Sequence, residues 1–294
     1  MGYGGYVSSR ATNYHTVSAT KTSAEIFSTY RDKKEFKKKS TMSPKNLGIR
    51  EARDSKEHPE SIAVIIALDV TGSMGRIPER IVKGDLSTVM NGLIQAGIDH
   101  TQIMFMAIGD HFYDDAPLQV GQFESSDELM AKWLEDTWIE SGGGGNACES
   151  YNLAWLVGGW HTAIDCFEKR NQKGFLFTIG DEKAFTKIDP KVIKEITGTP
   201  GETWTDKDMV AKAREKYFVH HIHTDDGSYP STRYPSTFGY WKELLGEDAH
   251  AVETYHKIAP LIAQIIKDHL GVSKTTQTES VQQDEEEKPT QTML

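Results

Sequence analysis

Two cysteines, Cys148 and Cys166, are all the thiols in 294 residues. They supply no disulfide framework, which points to a reducing compartment. No apolar run reaches the length of a membrane-spanning helix. The first residues hold no apolar signal segment. Tyr6 stands where a myristoylation signal after Gly2 would place Ser or Thr. No Gly-x4-Gly-Lys-Ser/Thr loop is present, so nucleotide hydrolysis by such a loop would belong to another chain. These absences together lead one to expect a soluble, cytoplasmic protein that does not contact membrane.

Basic charge is scarce where it would matter for nucleic acid. The formal net charge is −10. Residues 1–60 carry 12 Lys and Arg against 7 Asp and Glu, residues 272–294 carry 2 against 5, and the stretch between is left at −12. An acidic body lacks the footprint that phosphate backbones require, so no nucleic-acid partner is expected. It suits cations or basic partners. Three regions follow: a polar basic arm over 1–60, a folded domain over 61–271, and a disordered acidic tail over 272–294. A short helix is predicted near Glu25–Lys38 within the arm. The 37% hydrophobic content is low because these ends dilute it.

Within 61–271 the pattern alternates. Short apolar runs predict strands over 62–68, 102–108, 117–123, 174–179, 218–223 and 249–254. Helical spacing predicts helices over 78–96, 127–139, 149–168, 191–196, 206–217 and 258–270, with another starting at Tyr240. The stretch 225–237 reads as a loop. Alternating strands and helices specify an α/β fold, a doubly wound, mostly parallel six-stranded sheet with helices on both faces.

Ligands of such sheets bind beyond the carboxyl ends of the strands. After the first strand comes Asp69-Val70-Thr71-Gly72-Ser73-Met74-Gly75; after the second, Gly109-Asp110-His111; after the fourth, Gly180-Asp181-Glu182. Asp69, Thr71, Ser73 and Asp181 form a set of hard oxygen donors, which favours Mg²⁺, Mn²⁺ or Ca²⁺. One Asp-x-Thr-x-Ser alone also fits a turn whose Asp caps a helix. The second Asp after a later strand, with a Gly-rich loop between, favours the metal reading. Asp110 and Glu182 are further candidates, as partner contacts or as supports of the ligands. His220, His221 and His223 alternate along a strand and read as structural.

These motifs resemble the von Willebrand factor A (vWA) domain. Asp69-Val70-Thr71-Gly72-Ser73 matches the Asp-x-Ser/Thr-x-Ser motif of that family's metal-ion-dependent adhesion site. Phe175-Leu176-Phe177-Thr178-Ile179-Gly180-Asp181 resembles its later strand ending in a metal-site Asp. The resemblance implies that Thr71 and Ser73 contact the ion directly and that Asp69 and Asp181 act largely through water. The family's third loop supplies a Thr. Here Ser141-Gly142-Gly143-Gly144-Gly145-Asn146-Ala147-Cys148-Glu149 has none, so Asn146 or Glu149 takes its place.

The resemblance implies a non-enzymatic, metal-dependent interaction module whose ion keeps a position open for a partner's Asp or Glu. Intracellular proteins of this type resemble adaptors of MoxR-type AAA+ ATPases, which makes such an ATPase an expected partner class. One alternative is a metal-assisted phosphatase or hydrolase, for which His111 is the nearby base. Another is a structural protein that assembles through the arm 1–60.

Overall fold

The computed structural model describes residues 41–45, 47–75, 77–81, 86–95, 98, 100–139, 146–198, 201–225 and 234–271. The expected helix near Glu25–Lys38 and the expected tail lie outside the described residues. So do the four glycines of the third loop.

The apolar run Ile62–Asp69 forms strand β1, and alternate side chains enter opposite layers. Val64, Ile66 and Leu68 join one core; Ala63, Ile65 and Ala67 join the other. This is why the run needs no polar alternation. Thr101–Ile108 (β2), Leu118–Glu124 (β3), Gly174–Gly180 (β4), Tyr217–Thr224 (β5) and Ala249–Val252 (β6) complete a six-stranded sheet. Its order is β6-β5-β4-β1-β2-β3. All neighbours run parallel except β2 and β3, which pair antiparallel. The order reverses between β1 and β4, which are in register from Val64 on Phe175 to Leu68 on Ile179.

Helices cover both faces. Leu86–Gln95 (α1), Asp127–Glu135 (α2) and, last in the chain, Ile258–His269 contribute to the first core. Tyr151–Trp160 (α3), Pro190–Thr197, Asp206–Arg214 and Tyr234–Leu245 contribute to the second. In chain order, with Asp165–Arg170 as α4, these later helices are α5, α6, α7 and, for Ile258–His269, α8. No helix among the described residues is long and apolar enough to cross a membrane.

Three departures from expectation bear on the site and its surroundings. The helix expected over 149–168 is two helices, α3 and α4, separated by a short strand, Thr162–Ile164. That strand pairs in parallel with Arg50–Ala52. Gly158 and Gly159 weaken the helix just before the break, and the β-branched Thr162 and Ile164 favour the strand. The stretch expected as a loop to residue 237 already contains the start of α7. Its Pro235 occupies the first turn, where a missing N–H costs nothing.

Residues 41–60 are the third difference, because they lie against the body although they read as the end of an arm. Met42 is fully buried in the first core. Burying such a side chain is worth about 1.5–3 kcal/mol. Arg53 bonds Asp165 at 2.8 Å, and Arg170 bonds Asp54 at 2.7 Å.

Candidate metal centre

β1 ends at Asp69, and the chain turns back onto that carboxylate at once. The Thr71 backbone N–H and hydroxyl donate to Asp69 Oδ1 at 2.8 and 2.6 Å, a side-chain-capped turn of the kind Asp favours. A single 3₁₀ turn, Gly72–Met74, follows. Gly75 closes it at φ +54°, a conformation that favours glycine. The turn places Thr71 Oγ1 3.1 Å from Ser73 Oγ, and Ser73 Oγ donates to Asp181 Oδ1 at 2.9 Å. Asp69, Thr71, Ser73 and Asp181 thus form one continuous chain of oxygens. It lies where β1 and β4 end side by side, at the reversal of strand order.

The end of the Gly-rich loop is brought to the same place by a short strand. Cys148–Glu149 pairs in parallel with Lys183–Ala184, so the loop is joined directly to the one carrying Asp181. Ala147 takes φ +58°, rare for a residue with a Cβ. Glu149 is buried, and its Oε2 has no hydrogen-bond partner among the described residues. Burial raises its pKa, and the charges of Asp69, Asp110, Asp114 and Asp181 raise it further. Burial raises Asp181 and Asp69 as well. Asp181 is pushed further by Asp69 and Glu182, and Asp69 further by Glu182.

Asn146 is placed differently. Its Nδ2 donates to Asp110 Oδ2 at 2.7 Å. Asp110 Oδ1 accepts the Phe112 N–H at 2.8 Å. These two residues therefore bond each other and brace the loop after β2. Glu182 is buried next to the cluster, and its backbone carbonyl accepts Trp241 Nε1–H at 3.1 Å. His111 lies in contact with Ser150, with Nδ1 3.0 Å from Ser150 Oγ.

One residue at the site has no motif to announce it. Tyr151 is the first residue of α3, and its hydroxyl donates to Asp69 Oδ2 at 2.7 Å. Both Asp69 oxygens are therefore held, one by the Thr71 turn and one by Tyr151. The phenol crosses directly over Gly180, where a Cβ would meet Tyr151 Oη at 1.7 Å. Gly180 just before Asp181 is the sequence signal for this crossing. Trp241 and His221 pack on the Tyr151 ring, each with centroids at 5.4 Å.

No protein-family model and no curated protein matches the chain. Several solved structures do. One is the pilus adhesin SpaC from Lactobacillus rhamnosus GG in its open conformation, with 9% identity over 76% of this chain and a TM-score of 0.46. This chain spans 31% of SpaC. Another is the vWF domain of the type V pili tip protein Mfa5 from Porphyromonas gingivalis, with 12% identity over 73% of this chain and 97% of that one, at TM-score 0.45. A third is BatB from Bacteroides thetaiotaomicron, a conserved hypothetical protein. It shows 16% identity over 71% of this chain and 99% of that one, at TM-score 0.43.

The donor set fits a hard divalent cation. No three His, Cys, Asp or Glu side chains are grouped to hold a metal among the described residues. The oxygens that do converge are two hydroxyls and two carboxylates, with the Glu149 carboxyl nearby. Oxygen-only sets suit Mg²⁺, Mn²⁺ or Ca²⁺ over softer ions. Asp69 and Glu149 are buried and Asp181 is half-buried, all three with raised pKa values. Their ionised forms repel one another, and a positive ion among them would offset that repulsion.

Proposed function

We propose that the chain is a divalent-cation-dependent protein-interaction module. Thr71, Ser73, Asp69 and Asp181 hold Mg²⁺, or Mn²⁺ or Ca²⁺ on the same donors, and Glu149 completes the set. The ion, when bound, supplies a positive centre that attracts an Asp or Glu carboxylate of a partner. The chain's own residues do the rest. Tyr151 and the Thr71 turn fix Asp69, Ser73 links the two strand ends, and the Glu149 strand joins the third loop to the Asp181 loop. The continuous Asp69–Thr71–Ser73–Asp181 chain at the reversal of strand order carries this reading. The resemblance of the motifs to intracellular vWA proteins adds a MoxR-type AAA+ ATPase as the proposed partner class.

A hydrolytic reading is less well supported by this geometry. Both Asp69 oxygens are engaged, which disfavours Asp69 as a nucleophile. The base such a reaction would draw on, His111, faces Ser150.

The test is recovery of partners from native lysate by the tagged chain, in Mg²⁺ and in EDTA, with Asp69→Ala as the comparison. The proposal expects a partner retained by the wild type in Mg²⁺ alone. Equal recovery under all conditions would overturn it.

A further inference from the structure

Phe112 and Tyr113, on the loop after β2, are the most exposed large apolar side chains among the described residues, at 66% and 61%. Isolated exposed apolar residues are ordinary, but these two are adjacent and firmly held. Asp110 O accepts the Tyr113 and Asp114 N–H groups at 3.2 and 2.8 Å. Asp114 Oδ2 accepts the Asp110 N–H at 2.7 Å. The Phe112 ring packs on His111 and edge-on to Phe185, with centroids at 4.2 and 5.3 Å. The turn is thus tied at both ends, and its rings are kept facing outward.

His111 continues this patch into a groove of about 430 Å³ between the loop and α5. Half-buried Val192 and Ile196, one helical turn apart on α5, give it an apolar floor. Asp114, Asp115 and Glu195 also line it, against Lys45 as a cation. The lining is therefore acidic over an apolar base.

We propose that this groove, with Phe112 and Tyr113 beside it, docks an extended lysine- or arginine-bearing segment of a protein partner. Lys and Arg have the two-part character the surface asks for. Their aliphatic stems lie on apolar ground while the charged head reaches carboxylates. An exposed aromatic face next to the groove attracts the same cations. An acidic segment would meet Asp115 and Glu195 with like charge. The inference rests on the proposed function only in giving the groove and the cation centre to one partner, since the groove is lined by the loop that follows β2, the neighbour of β1 in the sheet. The groove itself needs no ion.

Fluorescence anisotropy in EDTA tests the groove apart from the cation centre. The probe is a short labelled peptide of alternating Lys and Leu, with a Glu–Leu peptide as its counterpart. The full chain is expected to bind the Lys peptide and not the Glu peptide. Glu195→Lys and Phe112→Ser, each verified as folded by its melting curve, should weaken binding about fivefold or more. Glu247→Lys makes the same charge change at a fully exposed side chain outside the groove, and should stay within about twofold of wild type. Equal binding of both peptides, or equal losses in Glu195→Lys and Glu247→Lys, would overturn the proposal. A full chain with Lys33, Lys34, Lys37, Lys38 and Lys39 changed to Gln separates the remaining occupant. Probe binding gained only in that variant would assign the groove to the chain's own lysine run and overturn the partner claim. Similar binding in both supports it. Loss of Mg²⁺-dependent recovery without loss of probe binding would count against the cation centre alone.

Discussion

The Tyr151 hydroxyl donates to Asp69 Oδ2 at 2.7 Å, so a helix start and a strand end 82 residues apart are locked together beneath the candidate metal centre. Tyr151→Phe keeps the ring and its packing on Trp241 and removes only that donor. A buried carboxylate left short of a hydrogen bond costs about 1–3 kcal/mol. Supports of metal ligands cost about tenfold or more in affinity when removed. Urea unfolding and Mg²⁺ titration of the variant should show both losses. Unchanged Mg²⁺ affinity would mean that Asp69 is not positioned through Tyr151.

Gly180 is the spatial counterpart of that bond. A Cβ there would lie 1.7 Å from Tyr151 Oη and 2.9 Å from Asp69 Cβ. Neither neighbour can give way without breaking the contact it makes. Gly180→Ala should therefore destabilise by about 1–3 kcal/mol, as overpacking does, and weaken Mg²⁺ binding as well. A variant with wild-type stability and wild-type binding would contradict this geometry.

Glu149 and Asn146 are both candidates for the third loop's donor, and their surroundings differ. Glu149 is buried with an oxygen that has no hydrogen-bond partner among the described residues, whereas Asn146 gives its amide to Asp110. Glu149→Gln should reduce Mg²⁺ affinity about tenfold or more, and Asn146→Ala by less than about threefold. The reverse order, read by calorimetric titration, would place Asn146 among the ligands.

His220 predicts a pH dependence that is independent of the metal centre. Its ring stacks on Phe177 with centroids at 5.3 Å. Its Nδ1 is 3.3 Å from His250 Nε2 and 3.6 Å from Asp248. Burial, followed by His250, His269 and Arg214, lowers its pKa to about 3. The unfolded chain, with a value near 6.5, takes up the proton first as pH falls. The stability this residue contributes is thus complete above about pH 6.5 and is lost as pH falls towards 3. His220→Phe should make stability fall less steeply between about pH 6 and 4, by about 1.4 kcal/mol per pH unit relative to wild type. Parallel slopes for the two proteins would refute the assignment.

What local pattern reveals depends on whether its cause is local. Asp69, Thr71, Ser73 and Asp181 were legible because each sits at or just past the end of an apolar run, and such runs become strands wherever they occur. Tyr151 was not legible, since a Tyr opening a helix looks like core until the strand order brings α3 across β4. The break at His161 depends on Arg50–Ala52, a pairing partner more than 100 residues earlier that helical spacing cannot register. Met42 lies in a polar, charged stretch, and only a cavity built by other elements gives it a place. Asn146 is a candidate ligand because an amide oxygen is a fair metal donor, and its amide nitrogen donates to Asp110.

The central claim, that Asp69, Thr71, Ser73 and Asp181 hold one divalent cation, is tested most directly by equilibrium dialysis of Mn²⁺ against the full chain and its Ser73→Ala and Asp181→Asn variants. One ion is expected per wild-type chain, competed by Mg²⁺, with a loss of about tenfold or more in affinity in each variant. Mn²⁺ bound equally by all three proteins, or not bound by the wild type, would contradict it.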